Sequence, residues 1–192
     1  MFRILTAALA LTAALPALAQ EVPDQRAAKG QLFGTRGSEI AVYPHAFLSE
    51  VDVKTLQAMP KVAGLKYYGA LAAAPAAGLQ HEASTGAFNY HSVESAREAA
   101  IAGCNAKRPG GAACVIVAEV LPRRYEAGRA LTLNQDASAA VDGREFGRAG
   151  PDAALAISLS TGSWGLGNGA EAAIAACAAS AGAGDCVLAV AK

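Results

Sequence analysis

Two patterns of apolar and polar positions alternate along this chain, one typical of buried strands and the other of amphipathic helices. Residues 67–74, 114–121 and 186–191 are short apolar runs bounded by glycine, proline or cysteine, and they predict strands. Residues 92–105 place apolar side chains on one face behind a serine, and 170–181 have the same periodicity, so both predict helices. The sequence therefore predicts an α+β fold, with helices packed on an antiparallel or mixed sheet.

The first third of the chain carries shorter signals. Residues 40–43 predict a short strand, and Ser49 with Asp52 three residues later forms a capping-box pattern that begins a helix. Pro60 is expected to end that helix, because proline lacks the N–H that a helix interior needs. The polar stretch 21–30 is expected to be a loose lead-in.

Residues 151–192 repeat the order of sequence features in residues 67–121. Residues 69–78 align without a gap with 153–162, and the Ala-Ala-Ile-Ala that precedes Cys104 recurs before Cys177. Each unit then has a strand, a glycine turn, a second strand, a helix ending in cysteine, and a final strand. The predicted division is a signal segment 1–19, an N-terminal segment 20–66 and a duplicated domain 67–192, made of unit one 67–121, a linker 122–150 and unit two 151–192.

Within the repeat, the second strand is expected at 87–90 in unit one and around Trp164 in unit two. The linker carries a further helical pattern at 135–141. Five aromatic side chains fall on the unit strands, where core packing is expected and a shared surface for a partner is the alternative; they are Tyr67, Tyr68, Phe88, Tyr90 and Trp164.

Four cysteines, an even number, favour disulfide bonds in an exported chain. Sequence alone allows three connectivities, but the repeat places each cysteine pair at a helix end and at the start of the next strand. These positions are close enough to bond, so we predict Cys104–Cys114 and Cys177–Cys186. A zinc site is disfavoured because the chain has no Cys-x-x-Cys pair and no histidine near either pair in sequence.

The first residues have the three parts of a secretory signal. Arg3 supplies the positive charge, Ile4 to Leu15 is apolar, and Ala17-Leu18-Ala19 is a small-residue cleavage pattern. The apolar run is shorter than the roughly 20 residues that span a bilayer. We therefore predict cleavage after Ala19, a periplasmic or secreted location, and no transmembrane segment in the mature chain.

Charge and composition exclude some partners. The 16 basic residues balance the 16 acidic ones, and so weak a field argues against nucleic-acid binding or attraction to anionic membranes. The pairs Lys107-Arg108 and Arg123-Arg124 are interpreted as solvated loop charges rather than a phosphate site. Alanine accounts for 49 of the 192 residues, so little apolar area is buried per residue and covalent links gain importance.

Three residues in or beside an 11-residue excess of unit one are the candidates for chemistry. His81, Glu82 and His91 would meet across a hairpin and bind a metal or act as acid and base, with His45 as a fourth member. The alternative, which we favour, is a set of exposed polar residues on a hairpin arm. No metal site is predicted.

A glycine motif also needs an interpretation. Residues 165–170 fit G-x-G-x-x-A, and Asp185 lies 20 residues after Gly165, as in a dinucleotide-binding fingerprint. A strand intervenes, however, and Asp185 precedes the next strand, whereas a ribose-binding acid should end it. We interpret these glycines as a tight turn or a close approach of backbones, and no cofactor is predicted.

The repeat also resembles a known family. Tyr68-Gly-Ala-Leu-Ala, Ser92, and Cys104 followed by Cys114-Val-Ile-Val resemble the secreted bacterial family called domain of unknown function 4189, over residues 67–192. The resemblance implies export and disulfides but no established activity. The layout is also similar to that of chains labelled aminolevulinate synthase, but no lysine lies in a recognisable pyridoxal-phosphate setting.

The sequence therefore favours a periplasmic or secreted binding or interaction module, with a possible protein partner in the envelope. One alternative is a small hydrolase or metal-dependent enzyme that uses His81, Glu82 and His91. Another is a structural envelope protein.

Overall fold

A computed structural model describes residues 21–192. These residues form two antiparallel sheets, one of four strands and one of three, with helices against their faces. The predicted signal segment 1–19 lies outside the described residues. The α+β class is confirmed, and the strands form two sheets. In chain order the elements are α1 (Gln25–Gln31), β1 (Ser38–Val42), α2 (Glu50–Ala63), β2 (Gly69–Ala73), β3 (Thr85–Ala87), α3 (Val93–Lys107), β4 (Val115–Pro122), α4 (Gln135–Asp142), α5 (Glu145–Arg148), β5 (Ala153–Ser158), β6 (Trp164–Asn168), α6 (Ala170–Ala181) and β7 (Cys186–Ala191).

The four-stranded sheet has the order β1-β4-β2-β3 and is covered on both faces. On one face, Ala96 and Ala100 of α3 pack against Ala70 and Ala72 of β2. On the other, Leu56 of α2 packs in a second cluster with strand residues that include Ala73 and Val117. Small side chains allow the helix and strand backbones to approach closely.

The three-stranded sheet has the order β6-β5-β7 and is also covered on both faces. Ala173 and Cys177 of α6 pack against Ala154 and Ala156 of β5. The opposite face is covered by α1, α4 and α5, whose buried members of that cluster are Ala28, Ala137, Val141 and Phe146. Residues of the predicted linker 122–150 are therefore part of a core.

The two sheets share the element order that the sequence repeat predicts. β2 pairs with β3 and β4, and β5 pairs with β6 and β7, in both cases with a helix between the second and third strands of the unit. The register shifts between Leu71 and Ala72 in the first sheet and between Leu155 and Ala156 in the second. The origin of the two units by duplication stays a prediction.

Both predicted disulfides are confirmed. Cys104 bonds Cys114 and Cys177 bonds Cys186, with Cα–Cα separations of 6.1 and 6.2 Å. Among residues 21–192, no cysteine is free. Each bond joins the last turns of a helix to the start of, or the residue before, the strand beside it.

Close backbone approach, one of the two interpretations that the sequence allows, explains the glycine motif. A Cβ atom at Gly165 would overlap the backbone of Ala176 and Cys177, and one at Gly167 would overlap the backbone of Ala172 and Ala173. Alternate residues of β6 must therefore be glycine so that α6 can lie directly on the strand.

Three local predictions are wrong. α2 continues through Pro60 to Ala63, and Gly64, with a φ of 60°, supplies the left-handed cap that glycine favours. The lead-in 21–30 contains most of α1, because the Asp24 side chain caps the Ala27 N–H and the helix packs against the second sheet. The second strand of unit one is Thr85–Ala87, which is earlier than the predicted 87–90.

Across residues 21–192, no helix combines the length and the apolar character needed to cross a membrane.

Candidate functional site

The candidate residues His81, Glu82 and His91 do not form a metal centre. Nδ1 of His81 accepts a hydrogen bond from the backbone N–H of Ala83 at 3.1 Å within its own turn, and Glu82 is exposed. His45 is engaged elsewhere, with Nε2 2.9 Å from the carbonyl of Ile116. Among the residues that the structure describes, no three His, Cys, Asp or Glu side chains are grouped to hold a metal ion.

The favoured interpretation as an exposed residue on a hairpin arm is wrong for His91, which is buried between two parts of the chain. Both its ring nitrogens are occupied. Nδ1 accepts the backbone N–H of Asn134 at 3.1 Å, so in the neutral ring Nε2 carries the hydrogen and donates to the carbonyl of Ser163 at 2.9 Å. Burial lowers the pKa of His91 to about 4, and hydrogen bonds to backbone carbonyls offset this only in part. With no nitrogen left for a metal or a substrate, His91 joins two parts of the fold.

The expected core packing of the five aromatic side chains on the unit strands is confirmed for two of them. Tyr67 and Tyr68 are buried and meet edge to face, with ring centroids 5.4 Å apart. Phe88, Tyr90 and Trp164 are only partly buried.

A different group of side chains lines an open cavity of about 400 Å³ where β1, β4 and α3 meet. We call it the Glu119 pocket. Its lining residues are Tyr43, Pro44, His45, Arg97, Ile116 and Glu119. Apart from His45, these residues were not selected from the sequence as candidates for a site.

Glu119 is a buried carboxylate with both oxygens bonded. Its side chain is 4% exposed, and Oε1 forms an ion pair with Nε of Arg97. The hydroxyl of Tyr43 donates to Oε2 at 2.8 Å. A buried carboxylate needs such partners, because its desolvation without them is costly.

The same contacts set the protonation of the two partners. The Glu119 carboxylate raises the pKa of Arg97 above its ordinary value. The pKa of Tyr43 is raised chiefly by burial and further by the hydrogen bond to Glu119. Both partners keep their protons at neutral pH. The Arg97 side chain is 42% exposed, so the cation of this ion pair is the member in contact with solvent.

A bulge in β4 brings the pocket residues to one face. Leu71 lies opposite Ala118 and Ala72 opposite Ile116, so Val117 is an extra residue in this strand. Side chains three positions apart in a regular strand point to opposite faces. The extra residue puts Glu119 on the same face as Ile116, toward α3.

The second sheet has no such ion pair at the corresponding positions. Arg97 lies seven residues before Cys104, and the residue seven before Cys177 is Ala170. Glu119 lies five residues after Cys114, and the residue five after Cys186 is Ala191. Since the second sheet packs without these charges, the architecture does not require them, and we take the Glu119 pocket as the candidate site.

The sequence contains one signal for this pocket. Glu119 is the only charged residue in the apolar run 114–122, where a carboxylate is unexpected. Its partners were not predictable in this way, because Arg97 is 22 and Tyr43 is 76 residues away.

Comparison of the chain with protein-family models, curated proteins and solved structures finds no match. The resemblance to domain of unknown function 4189 therefore stays a prediction, and the function is argued from the pocket itself.

Proposed function

We propose that this chain is an exported, disulfide-bonded binding module, and that the Glu119 pocket binds a small ligand with an apolar body and one carboxylate. The observation that carries this is the buried, fully bonded Glu119 beneath a partly exposed Arg97, in an open cavity.

The lining of the pocket supports the chemical class of the ligand. Tyr43, Pro44 and Ile116 present apolar surface, and His45 adds a ring that stacks on Phe47 with centroids 5.4 Å apart. Sites for small molecules combine mostly apolar walls with a few polar groups that fix orientation. A flat or aliphatic ligand body fits such walls.

Arg97 is the reason for proposing a carboxylate on the ligand. A guanidinium has five N–H donors in a planar fork that suits carboxylates, and Nε is the donor paired with Glu119. Glu119 is 4% exposed and bonded on both oxygens, so a ligand meets the Arg97 cation before the Glu119 anion.

The first experiment is a titration with benzoate, followed by NMR of the amide groups around the pocket, with benzamide as the uncharged control. Binding should saturate with benzoate, shift resonances of Tyr43 and Ile116, and be at least tenfold weaker with benzamide. Equal binding of both compounds, or no binding of benzoate, would contradict the proposal.

A conservative variant separates recognition from stability. Arg97→Lys keeps the positive charge beside Glu119 but loses the planar fork, so the fold should persist while benzoate binding weakens. Arg26→Lys, on the exposed surface of α1, is the matched control and should bind as the native chain does. Unchanged benzoate affinity in Arg97→Lys would remove Arg97 from the site.

Export has a separate test. Disulfides persist in oxidising compartments, which supports a periplasmic or secreted location together with the signal pattern before Gln20. Mass spectrometry of the exported, non-reduced protein should give a chain that begins at Gln20 with all four cysteines oxidised. A chain that retains residues 1–19, or that carries free thiols, would contradict export.

The hydrolase alternative has less support, because His91 would first have to break a buried hydrogen bond to free a nitrogen. The structural-envelope alternative predicts no saturable ligand, so the benzoate titration distinguishes it.

A further inference from the structure

A second cavity of about 540 Å³ brings four arginines together from separate segments of the chain. Arg36 precedes β1, Arg123 and Arg124 directly follow β4, and Arg129 lies in the connection to α4. We call this cavity the arginine cleft. Leu32, Phe33, Gly34, Thr35, Glu39 and Asp142 complete its lining.

The arginine cleft has a surplus of positive charge. Its four arginines face two acids, Glu39 and Asp142, so the lining carries a formal charge of 4 − 2 = +2. Glu39 is a weak partner, because it lies 3.8 Å from Arg123 and both side chains are more than half exposed. Glu126, outside the lining, lies 4.0 Å from Nη2 of Arg129 and is also a weak partner, because its side chain is 80% exposed. Like charges gathered in one cavity repel each other unless an anion joins them.

Arg129 is held in place before any ligand arrives. Its guanidinium carbon lies 3.5 Å from the ring centroid of Phe33, and Nη1 donates to the carbonyl of Gln31 at 2.7 Å. Phe33 is itself buried and packs against Tyr125, with centroids 5.7 Å apart. A cation fixed over an aromatic ring loses little freedom when it binds an anion.

The turn after β4 brings two neighbouring arginines to the same cavity. Consecutive residues of a strand point to opposite sides, which would separate Arg123 from Arg124. Arg124 instead has a φ of 58°, a left-handed conformation that L side chains rarely adopt, and both residues line the arginine cleft. The sequence interpretation of this pair as solvated loop charges, rather than a phosphate site, did not anticipate that they share a cavity with Arg36 and Arg129.

We propose that the arginine cleft binds a dianionic phosphate group, either inorganic phosphate or the phosphate of a small soluble monoester. Arginine forks match the oxygens of phosphate in a bidentate manner. A phosphate monoester carries close to two negative charges at neutral pH, which balances the surplus of the cleft. This site shares no lining residue with the Glu119 pocket and does not depend on it.

The experiment is isothermal titration calorimetry of the full exported chain at constant ionic strength, with inorganic phosphate and glycerol 3-phosphate as probes. One saturable site per chain is expected. Equal affinities would identify the bare phosphate group as the ligand, and tighter glycerol 3-phosphate would identify a monoester. Absence of saturable binding of both probes up to 10 mM would overturn the proposal.

Variants of exposed residues test the location of the site without threatening the fold. Arg36→Gln combined with Arg123→Gln should weaken phosphate binding by about tenfold or more. Lys54→Gln combined with Lys107→Gln changes the net charge equally at exposed positions outside the cleft and should leave affinity within about twofold. Equal weakening in the two double variants would mean attraction by net charge alone, and would overturn the site.

A variant of opposite sign completes the test. Asp142→Asn removes an acid from the lining and should tighten phosphate binding severalfold, since the carboxylate repels the ligand. Weaker binding in Asp142→Asn would contradict the electrostatic basis of the proposal.

Discussion

The backbone N–H of Asn134 donates to Nδ1 of His91 at 3.1 Å, and this bond links the start of α3 to the start of α4. The Asn134 side chain extends the link, because Nδ2 donates to the carbonyls of Asn89 and Gly162, each at 2.9 Å. Asn134 is also the N-cap of α4, accepting the Ala137 N–H at 2.7 Å. The junction therefore joins segments from both sheets through buried polar contacts, and its integrity depends on a neutral His91.

Protonation of His91 should weaken the fold. Burial lowers its pKa from 6.5 to about 4. Between pH 4 and pH 6.5, His91 is therefore mostly protonated in the unfolded chain and mostly neutral in the folded chain. The stabilising contribution is complete above pH 6.5 and is lost as the pH falls toward 4, to a limit of about 3 kcal/mol. Urea unfolding from pH 7 to pH 4 measures it.

His91→Gln is the control for this pH dependence, because glutamine does not titrate. The variant should be less stable at pH 7 and should lose most of the slope between pH 6.5 and pH 4. His81→Gln, at a partly exposed turn position, should keep the native slope. A slope that survives in His91→Gln would assign the proton to another group.

Each disulfide should contribute about 2–3 kcal/mol, because it closes a short loop and restricts the unfolded chain. The sequence separations are 10 residues for Cys104–Cys114 and 9 for Cys177–Cys186, so replacing either pair by serine should cost a similar amount. Thermal unfolding of the two double variants, with and without reductant, measures both values. If reductant left the melting temperature of the native chain unchanged, the bonds would contribute nothing.

The glycines of β6 should tolerate no side chain. Gly165→Ala places a methyl group against the backbone of α6 and should destabilise the protein by about 2 kcal/mol or more, since the strand and helix must separate. Gly30→Ala is the matched control, because no atom lies within 4 Å of the new Cβ and alanine favours helix. That variant should be more stable by about 0.5–1 kcal/mol. Equal effects of the two substitutions on urea unfolding would refute the packing argument.

The contributions of Arg97 and Glu119 should be strongly coupled. Arg97→Ala leaves a buried carboxylate without its cation and should cost about 2 kcal/mol, less than for a fully buried pair because Arg97 is partly exposed. Adding Glu119→Ala should recover part of the loss, as alanine occupies both corresponding positions in the second sheet. A double-mutant cycle in urea should give a coupling energy of about 1–2 kcal/mol.

The exposed pair Arg123 and Glu39, 3.8 Å apart, is the matched control for that cycle. Its coupling should be below about 0.5 kcal/mol, because solvent screens both charges. Equal coupling in the two cycles would mean that Glu119 is not a specially buried charge.

Prediction from sequence succeeded where the signal is local. The bounds of α6 and β7 were predicted to the residue, and the cysteine pairing followed from the same short-range order of helix, loop and strand. The prediction that Pro60 ends α2 was wrong, because the helix accommodates this proline although it lacks a backbone donor. The left-handed Gly64 caps the end of the helix instead. The prediction of a loose lead-in at 21–30 was wrong, because α1 is held by packing of Ala28 against the second sheet.

The candidate site could be predicted only in fragments. The residue types of His81, Glu82 and His91 point to chemistry, but the hydrogen bonds of His91 to Asn134 and Ser163 depend on chain segments 43 and 72 residues away. Glu119 was detectable as a lone charge in an apolar strand, yet its face is set by the extra residue Val117, which depends on how β4 pairs with β2.

By itself, the sequence determined the α+β class, the order of strand, strand, helix and strand in each unit, and both disulfides, because caps, periodicity and cysteine spacing act within about ten residues. Only the tertiary structure decided that the strands form two separate sheets, that the predicted linker supplies core, and which polar side chains share a cavity. Those features depend on contacts between residues that are distant in sequence. The burial of side chains and the pairing of strands and charges in these contacts cannot be deduced from a local sequence pattern.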